Sequence, residues 1–186
     1  ISPNNIFVAC GTLSVLLNHM APPEDKSVKI EGIVSIGIQL LGDNLIKFPK
    51  AKAIIMATPT TVSNNSFQRE LLKNGIPKNQ IFAQSCPNLA NEISNDPVGS
   101  KVEKRIQYWV NKSLQQLHGT TTEHLMVFLG CTHYIFHENM FKMAFINEGF
   151  SKLTVLNPNY AAAEKLKNYV LNDQSINSVL KNSFSI

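Results

Sequence analysis

Apolar residues along this chain fall into short continuous runs separated by segments with helical spacing. The runs are Ile6–Cys10, Ile30–Ile36, Ala53–Ala57, Ile81–Cys86, Leu125–Gly130 and Leu153–Leu156. Most are apolar throughout rather than alternating, the pattern of strands covered on both faces. The clearest helical pattern runs from Ser100 to His118, where Val102, Ile106, Trp109, Val110, Leu114 and Leu117 share one face. Ser100 followed by Glu103 predicts a capping box at its start. Further helices are predicted over Ser63–Asn74, Phe136–Asn147 and Tyr160–Leu171. Strands alternating with helices define an α/β protein with parallel sheets flanked by helices. Pro22-Pro23 and Asn95–Gly99 read as loops, and Phe48-Pro49 as a crossing between domains. The tail after Leu171, rich in Asn and Ser, reads as loose structure.

Composition narrows the class. Of 186 residues, 44% are hydrophobic and 16% charged, which suits a globular chain and not a disordered one. The net charge is +4, but the 17 basic residues are scattered, so nothing resembles the concentrated footprint of a nucleic-acid binder. No apolar run approaches the roughly 18 residues that span a bilayer. Ile1–Asn5 carry no basic region followed by an apolar core. The expectation is a soluble cytoplasmic protein without nucleic-acid or membrane partners. The chain begins with Ile1 and enters its first apolar run almost at once, as a fragment of a longer protein would.

The three cysteines, Cys10, Cys86 and Cys131, are widely spaced and include no C-x-x-C, which argues against a disulfide framework and a zinc site. A cysteine after an apolar strand is by default a small buried hydrophobe. That reading is retained for Cys86. Ligands of open parallel sheets bind at the C-terminal ends of strands, and three strand ends carry small polar residues. They are Val8-Ala9-Cys10-Gly11-Thr12, Met56-Ala57-Thr58-Pro59-Thr60-Thr61 and Leu129-Gly130-Cys131-Thr132-His133-Tyr134. Each precedes a helical pattern, whose N-terminus favours a carboxylate ligand and a thiolate.

These residues resemble the aspartate/glutamate racemase family. Gly130-Cys131-Thr132-His133 resembles the family's second catalytic motif, and Ala9-Cys10-Gly11-Thr12 its first. Ala57-Thr58 through Thr61-Val62 resembles a substrate-contacting strand end, and Cys86-Pro87 a pair at the next strand end. The resemblance runs from about Ile6 to Asn168. It implies an amino-acid racemase that needs no cofactor and no metal, with Cys10 and Cys131 as paired acid and base. His133 would orient or acidify Cys131, or bind substrate. Gly11, Thr12, Thr58, Thr61 and Thr132 are the expected substrate contacts. The threonines also suit helix caps and turns. His19, His118, His124 and His137 read as surface or packing residues.

The chemistry fits two thiols. Racemisation takes a proton from one face of Cα and returns one to the other, so acid and base stand on opposite sides. A free thiol titrates near about pH 8.5, and help from a helix N-terminus or a cation would poise it near neutrality. The expected substrate is a small amino acid, glutamate first and aspartate or a broader range second. D-glutamate would serve cell-wall peptidoglycan. A non-catalytic homologue binding a small acid or a partner protein is the reading from a different class. A homodimer is compatible with the resemblance.

The family fold implies two parallel-sheet lobes with the active site in the cleft between them. The first would hold residues 1–47 plus 151–186, and the second residues 48–150. Two departures stand out. Gly11 occupies a position where the family usually has Asn, so Gly11→Asn is expected to raise turnover or leave it unchanged. The family's early Asp-Ser strand end is absent, so the first lobe is expected to be incomplete, short of roughly 60 residues. A family glutamate after the Cys-Pro pair would fall near Ser94, with Glu92 close by.

Overall fold

A computed structural model describes residues 5–21, 23–96, 98–117 and 122–172. His118 and most of the tail lie outside them. Strands β1 (Asn5–Val8) and β2 (Lys29–Gly32) form one parallel pair. Strands β3 (Lys52–Ala57), β4 (Ile81–Ser85), β5 (Leu125–Leu129) and β6 (Leu153–Leu156) form a second parallel sheet in the order β4-β3-β5-β6. Helices α1 (Gly11–Ser14), α2 (Ile33–Lys47), α3 (Pro59–Asn64), α4 (Ser66–Lys73), α5 (Leu89–Asn95), α6 (Ser100–Gln115), α7 (Glu138–Asn147) and α8 (Pro158–Asn172) connect them.

The larger sheet is covered on both faces, and strand alternation divides its residues between two cores. Ile54, Met56, Leu125, Val127 and Leu129 point to the face covered by α5, α6 and α7. Ala53, Ile55, Ala57, Met126 and Phe128 point to the face covered by α2 and α4. All of β5 is buried, which explains its unbroken apolar sequence. Each such Leu, Ile, Val, Met or Phe contributes about 1.5–3 kcal/mol on leaving water. Gly37 lets α2 settle on β5, because a β-carbon there would stand 2.7 Å from the Phe128 ring.

Three local expectations are revised. Ile30–Ile36 is not one strand: β2 ends at Gly32 and α2 begins at Ile33. Gly32 leaves room for Ser14, whose hydroxyl accepts the Val34 N–H at 3.1 Å and so satisfies a free donor at the start of α2. The helix predicted over Ser63–Asn74 is two helices, broken where Asn65 turns left-handed at φ 59°. The capping box at Ser100 does not form. Gly99 is the cap, with φ 95°, and the Asp96 carboxylate accepts the Gly99 and Lys101 N–H groups instead. Residues 153–156 pair with β5, and α8 packs on α2.

Candidate active site

β3 connects outward to β4 on one side, while β5 lies on its other side. The C-terminal ends of β3 and β5 therefore bound the crevice where open parallel sheets bind ligands. Thr58 follows β3 and Cys131 follows β5. The third strand end, carrying Cys10 after β1, meets them there. A β-carbon at Gly11 would stand 2.8 Å from the Gly130 carbonyl oxygen, so the two chains touch backbone to backbone. The sequence pattern did not reveal this contact.

Three threonine hydroxyls join the first and second strand ends. Thr12 Oγ1 lies 2.8 Å from Thr58 Oγ1, which lies 3.0 Å from Thr61 Oγ1. Thr58 also caps α3, its hydroxyl accepting the Thr61 N–H at 3.4 Å. Both readings of Thr58, cap and site residue, are therefore compatible with one position. Thr12 does not cap α1; Cys10 holds that place, and its side chain makes no cap hydrogen bond. Thr132 lies with Gly11, Gly130 and Cys131 on the wall of a small pocket floored by Ile33 and Phe128.

The two thiols differ in setting. Cys10 is exposed, whereas Cys131 is only 7% exposed. Burial pushes the Cys131 thiol above the ordinary range; the His133 and Tyr134 N–H groups pull it back, and the facing Cys10 adds to the rise. The expectation of a thiol poised near neutrality by a helix end is corrected here. Only a short 3-10 turn, Thr132–His137, follows Cys131, and desolvation outweighs its N–H groups. His133 Nδ1 stands 3.8 Å from Cys131 Sγ.

Cys86 is 1% exposed, and its backbone N–H donates to the Ala57 carbonyl at 2.8 Å. Glu92 lies on α5 and pairs with Arg105 at 2.9 Å, in a surface groove with Asp96, Lys101 and Tyr108. His124 and His137 are buried, and His19 is exposed. Among the described residues no group of three or more His, Cys, Asp or Glu is placed to hold a metal ion, and no helix is long and apolar enough to cross a membrane.

The parallel strands and their connecting helices define an α/β fold with two cysteine-bearing turns side by side at the strand ends. The fold is that of solved glutamate and aspartate racemases, and the sequence is similar to that of a glutamate racemase. No family profile matches the chain. It is 26% identical over 129 residues to the glutamate racemase of Aquifex pyrophilus, across 69% of this chain and 46% of that one. A glutamate racemase of Francisella tularensis, solved with D-glutamate, superimposes with a TM-score of 0.66 at 19% identity. That match covers 92% of this chain and 58% of the other. A glutamate racemase isoform of Bacillus anthracis gives 0.67 at 20% identity, covering 92% and 59%. The Picrophilus torridus aspartate racemase gives 0.54 at 13% identity, covering 89% and 62%. The chain thus spans about half to three-fifths of the length of these relatives.

Proposed function

We propose that this chain forms part of a cofactor-independent racemase that interconverts L- and D-glutamate with Cys10 and Cys131 as acid and base. The observation that carries the reading is the contact of Gly11 with Gly130, which brings the two cysteine-bearing turns against each other at the end of the sheet crevice. In one direction the thiolate on one side removes the Cα proton and the thiol on the other side delivers one to the opposite face. Afterwards the first sulfur is a thiol and the second a thiolate, and the reverse reaction uses them in exchanged roles. Cys10 is exposed and Cys131 buried, and burial favours the protonated thiol at Cys131.

The hydroxyls of Thr12, Thr58 and Thr132, with the buried Thr61 bonded behind Thr58, and the N–H groups of the turn after Cys131 are the donors for substrate carboxylates. A negative charge developing beside Cα is stabilised most where donors are fixed and water is excluded. D-glutamate made this way would supply peptidoglycan synthesis in the cytoplasm. Aspartate is the second substrate, supported by the fold likeness to an aspartate racemase. The test is circular dichroism of L- and D-glutamate and aspartate incubated with the full-length protein. Turnover of glutamate above aspartate is expected; no turnover or Cα-proton exchange with either would replace the enzyme reading by that of a binding homologue.

A further inference from the structure

The last strand end of the larger sheet carries a buried amide that reaches back to the turn of Cys131. β5 and β6 pair in parallel through Phe128 and Leu156, so the turn after Cys131 and the start of α8 leave the sheet side by side. Pro158, the first residue of α8, lines the same small pocket as Gly130, Cys131 and Thr132. Asn157 precedes it and is only 5% exposed. Its Oδ1 accepts the Asn159 backbone N–H at 3.1 Å and the Asn159 side-chain amide at 2.7 Å, while its Nδ2 donates to Glu138 Oε2 at 2.8 Å. The orientation of the amide follows from these partners, since a backbone N–H only donates and a carboxylate only accepts. Glu138 is the first residue of α7, directly after the 3-10 turn Thr132–His137. Among the described residues no cation pairs with its carboxylate.

We propose that Asn157 and Glu138 are positioning residues, whose bond closes the segment from Cys131 to His137 against the start of α8 and so fixes Cys131, Thr132 and His133 at the crevice. The inference rests on the reading of Cys131 as an acid–base thiol and of Thr132 as a carboxylate donor. Each partner also has a local job. The Asn157 oxygen caps α8, and the Glu138 charge suits the positive end of α7. Neither job needs the other residue. A cap needs only an oxygen, and Asp serves there as well as Asn. What Asn adds is the donor that Glu138 accepts. The turn is tied at its start by the Tyr134 N–H, which donates to the Cys131 carbonyl at 3.0 Å. The bond from Asn157 ties its far end to a separate element. Because Asn157 is buried, breaking that bond strands a polar group away from water. A thiol that must reach Cα tolerates little displacement, since small misplacements of reacting groups lose rate steeply.

Substitutions separate the cap from the clamp. Asn157→Asp keeps the cap oxygen, loses the donor and sets a second carboxylate against Glu138. Glu138→Gln keeps an acceptor for Asn157, and in the double variant its amide donates to the carboxylate at position 157. Glu138→Ala removes the half-buried partner and leaves the cap of α8 untouched. The experiment is iodoacetamide alkylation of Cys131 and Cys10 in the full-length protein, resolved by mass spectrometry, with thermal melts to confirm folding. Cys131 is buried, so a loosened turn admits the reagent. Expected is several-fold faster alkylation of Cys131 in Asn157→Asp and in Glu138→Ala, a near-native rate in Glu138→Gln, and a return toward that rate in the double variant, with Cys10 unchanged throughout. An unchanged rate at Cys131 in Asn157→Asp or Glu138→Ala, a double variant as fast as Asn157→Asp, or equal acceleration at Cys10 would overturn the proposal. In an active enzyme, turnover of glutamate should fall and recover in the same order, and turnover unchanged across the series would overturn it too. The alkylation readout needs no turnover, so the expected pattern in a protein without racemase activity would leave the clamp standing and sink the racemase reading alone.

Discussion

The α-carbon of Gly11 rests against the carbonyl oxygen of Gly130, with no room between them for a side chain: a β-carbon would stand 2.8 Å from that oxygen. The contact joins the turn that carries Cys10 to the turn that carries Cys131. It argues against the expectation from the sequence that Asn at position 11 would raise turnover or leave it unchanged. The neighbour is backbone, which cannot swing aside as a flexible side chain can.

Gly11→Ala and Gly11→Asn should therefore both push the two thiol-bearing turns apart. Overpacking of this kind costs about 1–3 kcal/mol, and misplaced reacting groups lose rate steeply. Turnover should fall at least about tenfold, with Asn no better than Ala. Steady-state kinetics and thermal melts of the two variants check this; a more active Gly11→Asn enzyme would mean the contact opens at no cost.

Thr58 links two jobs, capping α3 and joining Thr12 to Thr61. Thr58→Val keeps the shape and removes the hydroxyl. Loss of the cap should lower stability by about 1 kcal/mol, and loss of a carboxylate donor should raise KM more than it lowers kcat. Thr58→Ser should restore both. A KM unchanged in Thr58→Val would leave the hydroxyl as a cap alone.

The buried thiols predict a pH dependence of stability. Burial raises Cys86 far above the ordinary thiol range and raises Cys131 in the same direction. In the unfolded chain both thiols ionise above about pH 8.5, while the folded protein keeps them protonated. The folded state then binds more protons, so stability is fully present below the unfolded pKa. It is lost as pH rises past it, by about 1.4 kcal/mol per pH unit for each thiol kept neutral. Urea midpoints measured on either side of that pH should fall at the alkaline end. Cys86→Ala should flatten the decline; an equal slope in that variant would show that Cys86 is not what holds it.

Much of this architecture was legible because continuous apolar runs report strands buried on both faces: β3 and β5 are such strands, and the edge strands β4 and β6 are half-buried. Reading failed where one apolar stretch serves two elements. Ile30–Ile36 is apolar across a strand end and a helix start, and only the Ser14 hydroxyl at Val34 N and the closeness of Gly32 to Ser14 separate them. The Asn65 turn that splits α3 from α4 is likewise invisible in helical periodicity, since Asn also occurs inside helices. The capping box at Ser100 lost to Asp96, a competitor four residues upstream that can reach two N–H groups at once.

The strand ends that carry the candidate site were legible; which of them meet was not. Small polar residues after three apolar strands named Cys10, Thr12, Thr58, Thr61, Cys131, Thr132 and His133. Two things depend on which strand ends meet in space: the Gly11–Gly130 contact and the Thr12–Thr58 hydroxyl bond. Local sequence carries no signal for either. The burial of Cys131 was also hidden, because most of the apolar residues clustered with it come from separate elements.

The two-thiol assignment is tested most directly by solvent-deuterium exchange at Cα in Cys10→Ser and Cys131→Ser variants of the full-length protein, with L- and D-glutamate supplied separately. With one base left, each variant should lose racemisation, and each should exchange the Cα proton of one enantiomer only, the two variants choosing opposite enantiomers. Racemisation at a near-normal rate in either variant, or exchange of both enantiomers by the same variant, would contradict the assignment of Cys10 and Cys131 as the acid and base on opposite faces of Cα.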